Sequence, residues 1–287
     1  MLLIPSLSFR KSKFLKNNFP NAKIRYKRLG NFIINDVLLL KPTKSAKFVL
    51  KKYNNVFNLV KWTLLVSFTF YASHYTISGK HRAINEVKGL KWAQKVGSKF
   101  KLFSPRIHEM LDSSLILEYI DGIPIDKFNK YSYDEWFTHY KEIGKILYSV
   151  HSNDYSFGDF KAENIFYDSK QNKYYFIDFE QFYKDKSGEY QRKVWDVTEL
   201  FFYIGHIFPS SKSHPFYKKT IFTFLTSYYE HLFKSKHFSN DVKFKMFQEL
   251  GKLKYVIIYA TFMSPKTYFF VLRTIQEWKQ YFRASFT

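Results

Sequence analysis

The sequence predicts an α+β protein whose first part is rich in strands and whose second part is mainly helical. Runs of alternating apolar and β-branched residues recur at 24–52, whereas apolar residues with helical spacing dominate after position 132. Strands followed by helices along one chain are typical of α+β folds. A length of 287 residues is sufficient for two lobes. We therefore predict two domains, at 1–119 and 120–287.

Strand signals come first along the chain. The runs IRYKRL, FIINDVLLL and KFVLKKY predict three strands, with a turn at Gly30 between the first two. A helix is predicted over 81–97, because Gly97 suits the residue that ends a helix. The segments 106–110 and 115–120 flank a short turn and predict a β-hairpin.

Helix signals dominate the second part. Ser132 and Glu135 form a capping-box pattern, which predicts a helix from there to about His151. A short strand pair is predicted at 164–167 and 174–177. Ser264-Pro265 has the order of an N-cap followed by a first helical residue. The further helices are predicted at 194–207, 214–233, 240–262 and from Pro265 onward.

The chain is strongly basic, with a formal net charge of +22. Residues 1–60 contain thirteen Lys and Arg residues and one acid, Asp36. Such a surface attracts polyanions, which here means a membrane, a phosphorylated glycan or RNA. A solvated Lys-rich surface without a partner is the alternative. Because the chain has no Cys, disulfides, thiolate metal ligands and Cys nucleophiles are excluded.

The segment 62–79 has no Lys, Arg, Asp or Glu, but it is rich in Ser, Thr, Tyr and His. A membrane-spanning helix needs ~20 predominantly apolar residues, so this segment is a poor candidate. The first residues also lack the order of a secretory signal, since apolar residues precede the charges. We expect a cytoplasmic protein that can lie peripherally at the inner face of a membrane.

Three polar residues in 158–180 have the spacing that phosphoryl transfer requires. Asp159 and Asn164 lie in the loop GDFKAEN, and Asp178 ends the strand-like run YYFID. Phosphoryl transfer needs a carboxylate that orients the attacking hydroxyl, together with oxygen ligands for Mg²⁺. Asp159 is therefore the candidate catalytic residue, and Asn164 and Asp178 are the candidate metal ligands. Taken alone, Asp159 and Asn164 would equally fit turn-forming residues.

The motif H-(x)6-GDFKAEN followed by IDFE resembles the catalytic and metal-binding loops of the protein-kinase-like superfamily. FVLKKY is similar to the strand that carries the phosphate-binding Lys, with Lys51 the better match and Lys52 its neighbour. NEVKGL resembles the helix whose Glu, here Glu86, pairs with that Lys. LILEYIDG resembles the hinge, where Glu118 to Ile120 would offer backbone groups to adenine. Five motifs in the same order make the resemblance specific.

This resemblance covers roughly residues 24–205. It implies a bilobal kinase-like fold with a β-rich N-lobe and a mainly helical C-lobe, and ATP and Mg²⁺ as cofactors. It also implies that the C-lobe, at 120–287, carries the catalytic and metal-binding loops.

Several departures make the pattern atypical. Phe157 stands where many kinases have His, so we expect apolar support for that loop, and Glu180 replaces the Gly of a DFG triplet. Gly30 is the single glycine of the predicted phosphate-covering hairpin. Only 17 residues separate Asp178 from Asp196, which leaves no room for a long activation segment. This trimmed form resembles RIO and KEOPS-complex kinases, lipopolysaccharide-core kinases and choline/aminoglycoside phosphotransferases.

The resemblance leaves the phosphate acceptor open. Lys161 resembles the γ-phosphate-contacting Lys of Ser/Thr protein kinases, which favours a protein acceptor. The short gap after Asp178 favours a saccharide or lipid hydroxyl, as in a lipopolysaccharide-core, sugar or other small-molecule kinase acting near a membrane. A catalytically weak kinase-like module that binds a polyanion is the third alternative. His151 is predicted to be structural, and Trp195-Asp196 to support the catalytic loop through hydrogen bonds.

Overall fold

A computed structural model of the protein describes residues 12–29, 35–53, 78–186, 188–207, 214–257 and 263–286. The turn predicted at Gly30 lies outside these ranges, as do all but the last two residues of the uncharged segment 62–79. Among the helices of the described ranges, none combines the length and the apolar character that crossing a bilayer requires.

A five-stranded antiparallel sheet dominates the first part of the chain. The order of its strands is β1-β2-β3-β6-β5, so the hairpin β5–β6 pairs with β3. The three predicted strands and the hairpin are thereby confirmed. The strands of this part are β1 (Arg25–Arg28), β2 (Asn35–Lys41), β3 (Phe48–Tyr53), β4 (Leu102–Phe103), β5 (Ile107–Leu111), β6 (Ser114–Glu118) and β7 (Ile123–Pro124).

Helices cover both faces of this sheet, because its apolar residues alternate between the two sides. On one face, Leu38, Leu50 and Ile116 pack against Leu15 of helix α1 (Lys13–Asn18). Helix α2 (Gly79–Phe100) contacts β3 and carries buried residues toward the other face. The side chains of β3 that point away from α1 therefore point toward α2.

Helix α2 continues three residues past its predicted end. It stops at Lys101, whose left-handed φ of 56° terminates the helical hydrogen bonding. The prediction that Gly97 ends the helix is therefore wrong. A Cβ atom at position 97 would lie 2.9 Å from the carbonyl oxygen of Leu102. Position 97 requires glycine because the backbone of Leu102 packs closely against it, not because the helix ends there.

The second part is mainly helical, as predicted. Ser132 and Glu135 form the expected capping box, and the Ser264 hydroxyl accepts a hydrogen bond from the Thr267 N–H (3.2 Å) at the start of the last helix. The helices are α3 (Tyr133–His151), α4 (Gln191–Ile207), α5 (His214–Lys234), α6 (Asn240–Glu249), α7 (Leu253–Val256) and α8 (Pro265–Phe286).

The continuous helix predicted over 240–262 is broken. Helix α6 ends at Glu249, and α7 begins at Leu253. Between them Leu250 is extended (ψ 124°) and Gly251 has a φ of +80°. This backbone conformation lies outside the helical region and strongly favours glycine. Residues 258–262 lie outside the described ranges.

Two small sheets position the loops that carry the predicted motifs. The predicted strand pair is confirmed as β9 and β10, and β10 also runs parallel to β4, with Tyr174 opposite Leu102. This pairing ties the strand that precedes Asp178 to the chain that follows α2. The strands are β8 (Tyr155–Ser156), β9 (Ile165–Asp168), β10 (Lys173–Phe176) and β11 (Tyr183–Lys184).

The predicted fold class is confirmed. A sheet-rich N-terminal part is followed by a mainly helical C-terminal part, which is the predicted α+β layout. The division near residue 119 remains a prediction.

Candidate active site

Lys51 lies at the centre of a buried group of carboxylates. Its Nζ is 2.7 Å from Glu86 Oε2 and 2.7 Å from Asp178 Oδ1. Strand alternation turns Lys51 and Tyr53 toward α2, and Lys52 to the opposite side. The Tyr53 hydroxyl donates to the same Glu86 oxygen. The structure thus brings together the Lys and Glu that the sequence paired across 35 positions.

The electrostatics keep Lys51 charged. Burial alone would lower its pKa, but the neighbouring charges of Asp178, Glu86 and Glu180 outweigh burial and raise that pKa. Burial raises the pKa of Glu86, and the attraction of Lys51 opposes that rise. A buried ion pair is costly to break because the remaining charge has no partner. The cluster therefore fixes a charged ammonium group among three carboxylates.

Asp178 offers a carboxylate oxygen and Asn164 an amide oxygen, and the two residues lie in neighbouring loops. Asp178 follows β10 with a φ of 65°, and Asn164 ends the turn before β9. The Ile177 N–H donates to the Asn164 carbonyl oxygen (2.9 Å), which joins the two turns. The Asn164 amide nitrogen points to the Asp159 carbonyl (3.4 Å), which leaves its amide oxygen for a cation. A carboxylate and an amide oxygen suit Mg²⁺.

Three carboxylates of the described residues, those of Glu86, Asp178 and Glu180, have oxygens within 4.8 Å of one another. Such a trio could hold a cation. Here the Lys51 ammonium lies among them, 3.9 Å from Glu180 and closer to the other two. The ammonium therefore already offsets part of their charge.

Asp159 forms an ion pair with Lys161, two residues later in the same loop. Lys161 Nζ is also 4.0 Å from Glu199 Oε1 on α4. Glu199 was not among the residues predicted from the sequence. In the structure it is buried and accepts a hydrogen bond from the Phe160 N–H (2.7 Å). Burial raises the pKa of Glu199, the charge of Asp159 raises it further, and Lys161 lowers it. Its position three residues after Asp196, on the same helix face, is the signal that could have revealed it.

Asp196 supports the GDFKAEN loop through hydrogen bonds, as predicted. The carboxylate accepts hydrogen bonds from the N–H groups of Phe157 (2.7 Å) and Gly158 (2.8 Å), while Trp195 Nε1 donates to the Gly158 carbonyl (3.1 Å). Burial raises the pKa of Asp196 to about 7, and the two N–H donors oppose that rise. His151 links Asp196 (3.1 Å) to the Tyr228 hydroxyl (2.6 Å). Its predicted structural role is confirmed.

Phe157 receives the apolar support that its sequence position predicts. Its ring is buried and lies 4.9 Å from the Phe160 ring centroid and 5.5 Å from that of Phe179. Phe176 and Phe182 complete the contacts on the same ring. An aromatic cluster therefore replaces the polar support that a His would give.

The predicted hinge residues lie at the end of β6. The Glu118 N–H donates to the Arg106 carbonyl (2.9 Å) and is committed to the sheet. Ile120 is partly exposed in the connector that leads to β7. The Glu118 N–H is therefore not available to a ligand.

Glu180, which replaces a glycine, faces the first part of the chain. Its Oε2 lies 2.5 Å from Arg82 Nη2 on α2 and accepts a hydrogen bond from the Asn35 amide (3.1 Å) on β2. Burial raises the pKa of Glu180 to about 7, the charge of Asp178 adds to the rise, and the charges of Lys51 and Arg82 oppose it. Sequence reasoning missed both Arg82 and Asn35.

The residue Gly89 allows α2 to touch the segment after β10. A Cβ atom there would lie 2.5 Å from the Phe179 Cβ. We expect Gly89→Ala to lower the free energy of unfolding by about 1–3 kcal/mol through overpacking, despite a gain of up to about 1 kcal/mol in helix propensity. Urea denaturation measures this change. Lys91→Ala, on the exposed side of α2, is the control and should change stability by less than about 0.5 kcal/mol. Equal stability of both variants would contradict the close contact.

Lys51 and Glu86 of the sheet-rich first part thus meet Asp178 of the mainly helical second part. No protein-family model matches the chain, and no curated protein does. Among solved structures, the chain is similar to Rio2 kinase from Chaetomium thermophilum, in its complex with ADP/Mg²⁺ and phosphoaspartate. That match has 12% sequence identity and a TM-score of 0.40, and it covers 93% of this chain and 74% of the other.

Proposed function

We propose that the protein is an ATP- and Mg²⁺-dependent phosphotransferase that transfers the γ-phosphoryl group to an alcohol. One observation carries this proposal: Lys51 Nζ lies 2.7 Å from both Glu86 and Asp178. These contacts join β3, α2 and the turn after β10 around a single charged amine. A cation fixed beside a metal-binding carboxylate is what a triphosphate requires.

Each residue has a distinct task in this proposal. Mg²⁺, when bound, would offset the charge of the phosphates, and Asp178 and Asn164 would hold it. Lys51, kept charged and oriented by Glu86, would contact the phosphate oxygens. The backbone of Glu118 and Ile120 would contact adenine.

At the acceptor side, Asp159 would orient the hydroxyl and accept its proton, and Lys161 would steady the γ-phosphate. The ion pair between these two side chains supports placing them at the same reacting centre. Hydrogen bonds from the loop backbone to Asp196 and Glu199 would keep that centre rigid, which favours proximity catalysis.

For the acceptor, we propose a Ser or Thr hydroxyl of a protein, because Lys161 resembles the γ-phosphate-contacting Lys of Ser/Thr protein kinases and pairs with Asp159. One observation supports the alternative of a saccharide, lipid-linked or other small acceptor. Between Asp178 and the start of α4 at Gln191 the chain is short, and its strand β11 pairs with β8. Little of this segment is therefore available as a platform for a peptide.

Transfer of label from ATP to the fractions of a cell extract distinguishes a protein acceptor from a saccharide or lipid acceptor. Purified protein is incubated with γ-labelled ATP, Mg²⁺ and separate protein, RNA and lipid/glycan fractions. Label in the protein fraction supports the proposed acceptor, and label in the lipid/glycan fraction supports the alternative. Asp159→Asn is the control, and label that appears equally with this variant is not transferred by the proposed site.

Nucleotide binding can be tested without knowing the acceptor. We expect Mg²⁺-ATP at one hundred times its Kd to stabilise the protein by about 2.7 kcal/mol. A thermal shift of several degrees should therefore appear. Asp178→Ala should lose the part of the shift that depends on Mg²⁺. No shift in the wild type, together with salt-sensitive binding of RNA or lipid, would contradict the kinase and favour the polyanion-binding module.

A further inference from the structure

The segment 178–180 contacts α2 directly at two places, in addition to its indirect link to α2 through Lys51 and Glu86. Glu180 pairs with Arg82, and Phe179 packs against Gly89 at a distance that excludes a Cβ atom. Arg82 and Gly89 are seven positions apart, so they lie two turns apart on one face of the helix. Consecutive residues after the candidate metal ligand Asp178 therefore dock along the same helix face.

The link between Glu180 and Arg82 is buried and has a third member. Arg82 is 0% exposed and Glu180 is 3% exposed. The Asn35 amide nitrogen donates to Glu180 Oε2 (3.1 Å), and the Asn35 amide oxygen accepts from Arg82 Nη2 (2.9 Å). Removing one partner of such a pair leaves a buried charge uncompensated. Strand β2, helix α2 and the turn after β10 are thereby held to one another.

This link runs beside the Lys51 cluster. Arg82 and Glu86 are one turn apart on α2, and both are buried. Arg82 holds Glu180, while Glu86 holds Lys51, which in turn contacts Asp178. Displacement of α2 would therefore disturb both the Arg82–Glu180 pair and the Glu86–Lys51 pair. The arrangement is therefore doubly constrained.

We propose that Glu180 is a positioning residue that, through Arg82 and Asn35, fixes Asp178 and α2 in the arrangement required for activity. No separate activating event is then needed to bring Glu86 to Lys51. This inference rests on the proposed function for its catalytic consequence, but its mechanical part does not depend on turnover. A glycine at position 180 would remove the link and add backbone freedom.

The test combines hydrogen exchange with kinetics in full-length Glu180→Gly and Glu180→Gln. We expect amide exchange at 178–182 and at 79–90 to accelerate at least tenfold in Glu180→Gly. We expect its kcat for Mg²⁺-ATP turnover to fall by about 10–100-fold, the usual cost of losing a partner that orients a metal ligand, with a smaller change in KM. Glu180→Gln should be intermediate, because its amide oxygen can still accept from Arg82.

Ile275→Ala in α8 is the matched control, since it removes buried volume in a helix outside the site. It should lower the melting temperature without accelerating exchange at 178–182 or changing kcat. Unchanged exchange in Glu180→Gly would overturn the proposal. So would accelerated exchange with wild-type kcat, or a loss that Ile275→Ala reproduces. A wild type without ATP turnover would refute the proposed function instead, while the exchange data would still decide whether the link exists.

Discussion

Asp159→Asn is expected to lower phosphoryl transfer by about 10²–10⁴-fold, the range for losing a positioned proton acceptor. The amide keeps the shape of the side chain but cannot take the hydroxyl proton. The effect on folding should be small, because the variant loses the ion pair with Lys161 but also loses a repulsion. The negative charge of Asp159 raises the pKa of the buried Glu199, and removing that charge relieves the repulsion. Steady-state kinetics with the identified acceptor, together with thermal unfolding, measure the two effects.

Asp154→Asn provides the control for this substitution. Asp154 lies on the same stretch of chain, pairs with His237 at 3.3 Å, and is partly exposed. The same chemical change there should leave kcat within about twofold, since an exposed ion pair is worth roughly 0–1 kcal/mol. Asp159→Asn with full activity would exclude Asp159 as the residue that accepts the proton.

Asp196→Ala is expected to destabilise the protein by roughly 2–6 kcal/mol. The N–H groups of Phe157 and Gly158 would each lose a buried acceptor, at a cost of about 1–3 kcal/mol for each unsatisfied group. His151 would lose its partner as well. Activity should fall more steeply than stability, because the released loop carries Asp159. Urea denaturation and turnover of the folded fraction measure both.

Asp241→Ala, in the first turn of α6, is the matched control. Its carboxylate is 70% exposed and pairs with Lys245. We expect a loss of no more than about 1 kcal/mol, from the surface ion pair and the helix dipole. If Asp196→Ala were no more destabilising than this control, the catalytic loop would have another support.

Local signals account for the parts of the fold that the sequence predicted. The alternation of FVLKKY determined which lysine faces α2, and the Ser132–Glu135 capping box fixed the start of α3. The errors arose where a glycine has a tertiary role. Gly97 permits contact with the chain after α2 and does not end the helix, while Gly251 interrupts a segment with helical spacing.

The same reasoning explains which site residues were found. Asp159, Asn164 and Asp178 belong to two short motifs. Lys51 and Glu86 were identified because their motifs precede those two in the order typical of kinase-like sequences. Glu180 pairs with Arg82 across 98 positions and with Asn35 across 145. A local sequence pattern cannot predict contacts between residues so far apart along the chain. Polar groups that support a site from distant elements are therefore visible only once the chain is folded.

The most direct test of the account is the rate of ADP formation from ATP by purified wild-type protein, measured with and without Mg²⁺ and compared with Asp178→Ala. The expected result is Mg²⁺-dependent ADP formation that is lost in the variant, because Asp178 would hold the metal beside Lys51. ADP formation that is equal in wild type and variant, or absent from the wild type, would contradict the assignment of this site to phosphoryl transfer.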